Sequence, residues 1–453
     1  MIINIKNKIV LKDVPRHLAT EVKSRLSFEN PEYLEAKKWK RYTGKFPRYL
    51  KYFEEADDGN LVIPRGFIRE LLILCRDRNV KHTLEDRRRS LPEVDFRFNG
   101  ELRPFQNRAV RDVLERDSGT LSAPTGSGKT VMALAVIAKR KQPTLIVVHS
   151  LELQNQWVSR IETFLGIPSE EIGIIGGGKK IIGDRITVAL VQSLYKCSGE
   201  VSKHIGFLIV DEAHRTPARN FTEAVTAFDS KFLLGLSATP YRSDGLGRLI
   251  FWHLGGLVHS VDPKELQDNG DILKVDAVIR ETDFETLLDP SSEYSAMMSE
   301  LTQDYDRNNL IAADVVKEAR STSGICLVLS DRKQHCEDLQ TILRGRGLRP
   351  EVLTGSVTNG NREKIVQRLN EGKIKVLIAT GQLIGEGFDL PALSTLFLTT
   401  PISFRGRVTQ YLGRILRPAP GKKKAKLFDY VDNLVGVLEH SAEARQRVYR
   451  GGH

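Results

Sequence analysis

The stretch APTGSGKT, Ala123 to Thr130, places glycines at 126 and 128 directly ahead of Lys129 and Thr130. Glycine tolerates left-handed backbone, and two of them in one turn let successive N–H groups curl around phosphate oxygens. Such a turn needs a strand before it and a helix after it, so that the helix N-terminus adds its partial positive charge. Both flanks have that texture: GTLSA (119–123) is a β-rich run and VMALAVIAKR (131–140) has helical periodicity. Pro124, Thr125, Gly126, Ser127 and Gly128 then form the cradle. Lys129 reaches toward the β- and γ-phosphates, and the Thr130 hydroxyl is a ligand for Mg2+.

Outward from this turn, short apolar runs alternate with amphipathic stretches. TLIVVHS (144–150), ITVALVQS (186–193), FLIVDE (207–212) and FLLGLSATP (232–240) read as buried strands, with helices over 129–141 and 150–165 between them. That alternation predicts a parallel sheet with helices on both faces. The pattern pauses over 259–294, where Pro263, Gly270, Pro290 and several acids suggest an inter-domain connection. It resumes with strands in GICLVLS (324–330), RPEVLTG (349–355), KVLIATG (375–381) and TLFLTTP (395–401), and helices over 331–347 and 361–372.

FLIVDEAH (207–214) ends a strand on Asp211 and Glu212. Carboxylates at the C-terminal end of a parallel strand face the ligand crevice. Asp211 suits the hold on Mg2+, and Glu212 suits the base that positions the attacking water. The order of phosphate turn, DEAH and SATP (237–240) resembles superfamily 2 helicases and translocases. The resemblance covers most of residues 100–430. It implies two RecA-like parallel-sheet domains in tandem with ATP between them, alongside a small N-terminal α+β accessory domain. The boundaries read as 1–92 (accessory), 93–270 (first RecA-like domain) and 271–453 (linker and second RecA-like domain).

The same resemblance assigns further roles. GELRPFQNRAV (100–110) stands where the family recognises adenine, with Gln106 on the base edge and Arg103 or Phe105 packing nearby; an ordinary helix start at Pro104 is the competing reading. His214, Ser237 and Thr239 are implied to couple nucleotide state to the nucleic-acid side. IATGQLIGEGFDLP (378–391) resembles the fifth motif, in which Gly387 and Asp389 serve the ribose, Gly381 and Gly385 allow close backbone approach, and Thr380 faces the nucleic-acid backbone. QYLGRILRP (410–418) supplies Gln410 and the arginine pair Arg414 and Arg417 as fingers for the charge that builds on the γ-phosphoryl group. Ser150, Gln156, Gln192, Ser193, Ser330, Thr354 and Gly355 occupy family positions along the nucleic-acid track.

The formal net charge is +11, which favours a polyanionic partner. SATPYRSDGLG (237–247), with Arg242, Asp244 and Gly245, resembles the XPB-type DNA repair helicases and the translocating subunits of restriction enzymes. The sequence therefore predicts an ATP- and Mg2+-dependent DNA helicase or translocase acting on single-stranded or branched DNA with little sequence preference. RNA is the less favoured polymer. An RNA-remodelling ATPase and an ATP-switched adaptor that binds without moving are the alternatives. Polarity from 3′ to 5′ is the default of the XPB-like group, and nothing in the residues fixes it. A thumb-like insertion is missing, RSDG stands where an acidic-basic turn would follow Arg242, and no nuclease constellation is evident.

Four scattered cysteines with no CxxC pair argue against zinc and fit a reducing compartment. No apolar run reaches the length of a bilayer span, and the start alternates like a strand rather than a signal peptide, so a soluble cytoplasmic chain without a membrane partner is expected. In KKWKRYTGKFPRYLKYF (37–53) aromatics recur at helical spacing but are broken by Gly44 and Pro47, which predicts two short helices. These aromatics read equally as a stacking platform for nucleic acid or as a small core. GNLVIPRGFIRELL (59–72) reads as strand, turn and helix. Protein partners and the role of residues 1–92 are open.

Overall fold

A computed structural model describes residues 1–38, 42–213, 219–238, 247–381, 390, 392–402, 405–416, 418–419, 422 and 424–449. They form two compact units, one of Met1–Ala123 with Gly128–Val261, the other of Pro124–Ser127 with Asp262–His453. The fold is α/β, as the alternation of apolar runs and amphipathic stretches predicts.

In the first unit the chain starts with β1 (Ile2–Ile5), β2 (Lys8–Lys12), β3 (Ser27–Glu29), β4 (Tyr49–Lys51), β5 (Glu54–Glu55), β6 (Leu61–Pro64) and β7 (Thr83–Asp86). Strands β5-β6-β2-β1-β7 make a mixed sheet, and β3 pairs with β4 as a separate antiparallel ladder. After a helix over Pro104–Leu114 come β8 (Ser118–Ser122), β9 (Thr144–Val148), β10 (Gly173–Gly176), β11 (Lys179–Lys180), β12 (Ile186–Leu190), β13 (Phe207–Val210), β14 (Phe232–Ser237) and β15 (Leu257–Ser260). They lie in the order β11-β10-β12-β9-β13-β14-β8-β15. All neighbours are parallel except the β10–β11 edge. Strands β9 and β13 are buried along their whole length, which is why they read as unbroken apolar runs and not as alternation.

The N-terminal sheet is joined to the larger one by a common core. Ile3, Ile9, Leu11, Leu61, Phe67 and Leu71 pack with Leu249 and Trp252 of the Gly247–Leu254 helix. Where Arg65–Phe67 forms a single 3-10 turn, a Cβ on Gly66 would sit 2.6 Å from the Trp252 carbonyl and 2.5 Å from the Gly255 nitrogen. Arg65 beside it is buried and donates to the Ser230 carbonyl at 2.7 Å.

The second unit holds β16 (Val275–Glu281), β17 (Ile325–Ser330), β18 (Glu351–Leu353), β19 (Val376–Thr380), β20 (Leu393–Leu398) and β21 (Ala425–Val431). Their order is β16-β21-β20-β17-β19-β18, and every described pair is parallel. Two apolar layers cover its faces, one around Leu327, Leu377 and Leu396, the other around Ile311, Val328 and Phe397.

Two local expectations fail. Residues 259–294 are not a bare connection: they contain the end of β15, a helix over Pro263–Asp268, and β16, an edge strand paired with β21 through seven residue pairs from Val275↔Ala425 to Glu281↔Val431. Charged Asp276, Arg280 and Glu281 hide that strand from a hydropathy reading. Its partner lies far along the chain, which leaves no local turn signal. In 37–53 the helix over Pro31–Lys38 enters only the first two residues, 39–41 fall outside the described residues, and the second segment is β4, not a helix. Pro47 favours extended backbone before it. The buried Asn30 then captures the segment, donating to the Pro47 carbonyl through Nδ2 at 3.1 Å and to the Arg48 carbonyl through its backbone N–H at 2.9 Å. Among the described residues no helix is long and apolar enough to cross a membrane.

Candidate active site

Three neighbouring parallel strands of the first unit, β8, β14 and β13, end in the phosphate turn, in Ser237, and in Asp211 and Glu212 respectively. Registration is tight: Ser122 pairs with Ser237, and the Ala123 N–H donates to the Ser237 carbonyl at 3.0 Å. Sheet order therefore brings together motifs that lie as much as about a hundred residues apart in sequence. They meet at the C-terminal edge, where α/β sheets bind ligands.

Gly126 and Gly128 both take left-handed backbone, with φ of +88° and +83°. Ser127 closes the turn from inside, its hydroxyl donating to the Pro124 carbonyl at 2.7 Å. A helix begins at Lys129 and carries Thr130 in its first turn. The Lys129 ammonium folds back to the Ala123 carbonyl at 3.0 Å. Gln106 is buried: its Oε1 accepts the Arg103 N–H at 2.9 Å, which caps the Pro104–Leu114 helix. Its Nε2 lies 2.5 Å from where a Cβ on Gly128 would stand. Gln106 and Arg103 are thus a helix cap abutting the phosphate turn, and Thr125 lies in that turn.

Asp211 is buried, and its carboxyl is pushed above the usual carboxylate range, first by that burial and then by the neighbouring charge of Glu212. The Trp157 indole N–H and the Lys129 charge oppose the shift. Trp157 donates to Asp211 Oδ2 at 2.8 Å, and the Glu212 N–H donates to Oδ1 at 2.9 Å. Glu212 itself sits at φ +51°. Left-handed backbone on a non-glycine residue costs about 1–3 kcal/mol, and strain of this kind gathers at functional sites. The donor set fits the groups it would hold. Left-handed glycines open a backbone cradle for phosphates, and a buried carboxyl disfavoured as an anion gains from a divalent cation.

The track positions prove mixed. Ser150 caps the Leu151–Leu165 helix, its hydroxyl accepting the Leu153 N–H at 3.4 Å. Gln156 is half-buried on that helix. Gln192 is exposed and donates to the His149 carbonyl at 3.2 Å, with Ser193 beside it in the short Val191–Leu194 helix. In the second unit Ser330 and Thr380 end adjacent strands and pair in register. Ser330 is fully buried: its hydroxyl meets Arg332 N at 3.1 Å and His335 Nδ1 at 2.9 Å. It fastens the turn after β17, with its hydroxyl engaged inside the unit. Thr354 is also buried, against Ser356 at 2.8 Å, while Gly355 is exposed with open space around it. Gly381 is crowded by side chains of its own unit: a Cβ there would lie 2.9 Å from Asp331 Oδ1 and closer still to the Tyr411 hydroxyl.

Arg414 lies on the Arg405–Ile415 helix, whose Val408, Tyr411, Leu412 and Ile415 anchor it in the second unit's core. Gln410 lies on the same helix, with its side chain outside what is described. Arg417, His214, Thr239, Gly385, Gly387 and Asp389 fall outside the described residues.

Sequence reading missed several participants. Trp157, next to the track position Gln156, is one of them. The signal was there, because a tryptophan in the apolar register of a helix needs a partner for its N–H. Also missed was a polar network behind Ser330. His335 bonds Asn308 Oδ1 at 2.8 Å, and Arg307 pairs with Asp432 at 2.7 Å and donates to the Thr399 carbonyl at 2.8 Å. Burial, reinforced by the Arg307 charge, pulls the His335 imidazole down to about 3. The network ties down the ends of β17, β20 and β21 together.

Residues 99–242 match the family of the type III restriction enzyme res subunit, and residues 309–419 match the helicase conserved C-terminal domain. A "Putative ATP-dependent RNA helicase L396" of Acanthamoeba polyphaga mimivirus is 28% identical over 79% of this chain and 69% of its own length. A "DNA 3'-5' translocase XPB2" of Sulfurisphaera tokodaii is 27% identical over 79% of this chain and 87% of its own. Among solved structures, S. cerevisiae Dbp5 bound to RNA and ADP BeF3 shares the fold at a TM-score of 0.56 and 16% identity, over 77% of this chain and 88% of that one. A restriction-subunit match followed by a helicase C-terminal match, on a chain whose motif strands stand side by side at one sheet edge, supports a superfamily 2 helicase of the XPB-like and restriction-translocase-like type.

Proposed function

We propose that the chain couples ATP hydrolysis to movement along DNA, separating or remodelling strands in repair, recombination or replication. The observation that carries the reading is the adjacency of β8, β14 and β13, which lines up the phosphate turn, Ser237 and the Asp211–Glu212 pair. ATP supplies the γ-phosphoryl group, and Mg2+ neutralises charge on it. In this reading the turn 124–128 cradles the phosphates, Lys129 draws charge from the β- and γ-oxygens, Thr130 and Asp211 hold the cation, and Glu212 orients water. Gln106 and Arg103 serve adenine, and Gly387 with Asp389 serves the ribose. Arg414 and Arg417, with Gln410, come from the second unit to meet charge that develops only in the transition state.

DNA is favoured over RNA by the relatives named as a DNA 3'-5' translocase and a DNA 3'-5' helicase, while the excess positive charge suits either polyanion. A viral relative named as an RNA helicase supports the second reading, an RNA-remodelling ATPase. ATPase assays with single-stranded DNA, duplex DNA and RNA separate the two, and stimulation by RNA alone would overturn the first. Turnover without strand or triplex displacement would point to a switched adaptor. Lys129→Ala abolishes turnover in this reading. Arg417→Ala lowers kcat by about 10³-fold or more with ATP affinity nearly intact; lost ATP binding with unchanged kcat would remove the finger role.

A further inference from the structure

The aromatic-basic run near the N-terminus divides into two populations. Strand β4 alternates: Leu50 faces inward, while Tyr49 and Lys51 are exposed. Register places Phe28 opposite Leu50 and Glu29 opposite Tyr49. The inward population is a core. Phe28 stacks on Tyr52 at 5.9 Å, and Tyr52 meets Trp252 at 5.5 Å. The outward population has no such use. Tyr42 is 76% and Tyr49 47% exposed, and the Tyr42 phenol lies across Gly44, where a Cβ would obstruct it.

The charged residues within 45–51 are all basic, with Glu29 of β3 opposite them. Arg48 lies over the Tyr49 ring at 5.3 Å and neutralises Glu29 at 3.3 Å. Lys45 and Lys51 are exposed and have no carboxylate partner among the described residues. By contrast, Lys8 and Lys23 of the neighbouring elements are paired with Glu54 and Glu55. Two exposed tyrosines, Tyr49 carrying Arg48 over one face, with the unneutralised Lys45 and Lys51 in the same stretch, match a strand whose bases are unstacked and whose phosphates run alongside. A duplex hides its base faces, and an acidic peptide has no use for the rings. Asn30 fixes the ladder from behind through its bonds to Pro47 and Arg48, so the platform is held in shape by a buried residue.

We propose that the β3–β4 ladder is a single-stranded nucleic-acid docking surface, with Tyr42 and Tyr49 stacking on bases and Lys45, Arg48 and Lys51 contacting phosphates. This rests on the helicase reading above and adds a second grip on the strand. The test uses the full chain and fluorescence anisotropy with labelled single-stranded DNA and RNA oligonucleotides of about 20 nucleotides. Tyr42→Ala with Tyr49→Ala weakens binding about tenfold or more. Lys45→Glu, Arg48→Glu and Lys51→Glu together reduce the slope of log K against log salt by about 2. Both variants keep the nucleic-acid-free ATPase rate and the wild-type melting temperature, while the oligonucleotide concentration needed for half-maximal stimulation rises. Tyr49→Trp restores binding to the level of wild type or better. If both variants bind with wild-type affinity and salt slope, the surface is not a nucleic-acid platform and this inference falls alone. If the wild-type chain binds neither oligonucleotide, the helicase reading falls with it.

Discussion

At the scale of single residues, Asp211 is held by groups of opposite effect. Burial and Glu212 raise its proton affinity, while the Trp157 N–H and Lys129 lower it. Trp157→Phe keeps an aromatic ring, removes the 2.8 Å donor and leaves a small cavity at a fully buried site. A buried acceptor that loses its partner costs about 1–3 kcal/mol. The expected result is a lower melting temperature, a Mg2+ requirement shifted to higher concentration, and reduced kcat, read from an ATPase assay titrated with Mg2+; a variant with the wild-type Mg2+ dependence would show that the indole only fills space. Much at this scale was legible in advance. Gly126, Gly128, Lys129, Asp211 and Glu212 carry their chemistry in residue type and spacing. Ser330 did not, because a serine at a strand end looks the same whether its hydroxyl faces solvent or a buried histidine. Only His335, five residues on and turned inward, decides it.

At the scale of elements, the turn Arg65–Phe67 shows how a connection is made rigid. Gly66 is chosen by its neighbours: the backbone of the Gly247–Leu254 helix comes too near for any side chain. Gly66→Val must push that helix away, and with it Trp252 and Leu249 from the core they share with Ile3, Phe67 and Leu71. Overpacking of this kind costs about 1–3 kcal/mol or more, read as a drop in thermal midpoint. An unchanged midpoint would mean that the two elements slide freely. Strand and helix identities in the motif-bearing sheets were legible because fully buried parallel strands announce themselves as apolar runs. Strand β16 was not, since it is a charged edge whose partner is sequence-distant. Strand β4 was not either, because helical spacing of its aromatics competed with Pro47 and with the clamp from Asn30, a contact that no local window contains.

At the scale of the whole molecule, each unit buries a neutral histidine among its described residues. Burial draws His253 down to about 4 in the first unit, and burial with the Arg307 charge draws His335 down to about 3 in the second, against an ordinary value of 6.5. Folded imidazoles therefore refuse protons that the unfolded chain accepts. Neither group affects stability above about pH 7. As pH falls below about 6.5 each one costs about 1.4 kcal/mol per pH unit until its own folded value is reached. Thermal melts between pH 7.5 and 5 should show stability falling by about 2 kcal/mol per histidine, with His335→Gln removing the second unit's share; a flat profile would refute the neutral assignments. The joint core around Trp252 carries a further consequence. A version of this chain pared back to its two larger parallel sheets would leave an oily scar along the Gly247–Leu254 helix, just downstream of the SATP motif. The small amino-terminal module is therefore the bark that keeps this helix dry, and an attempt to minimise the chain should yield clumped material.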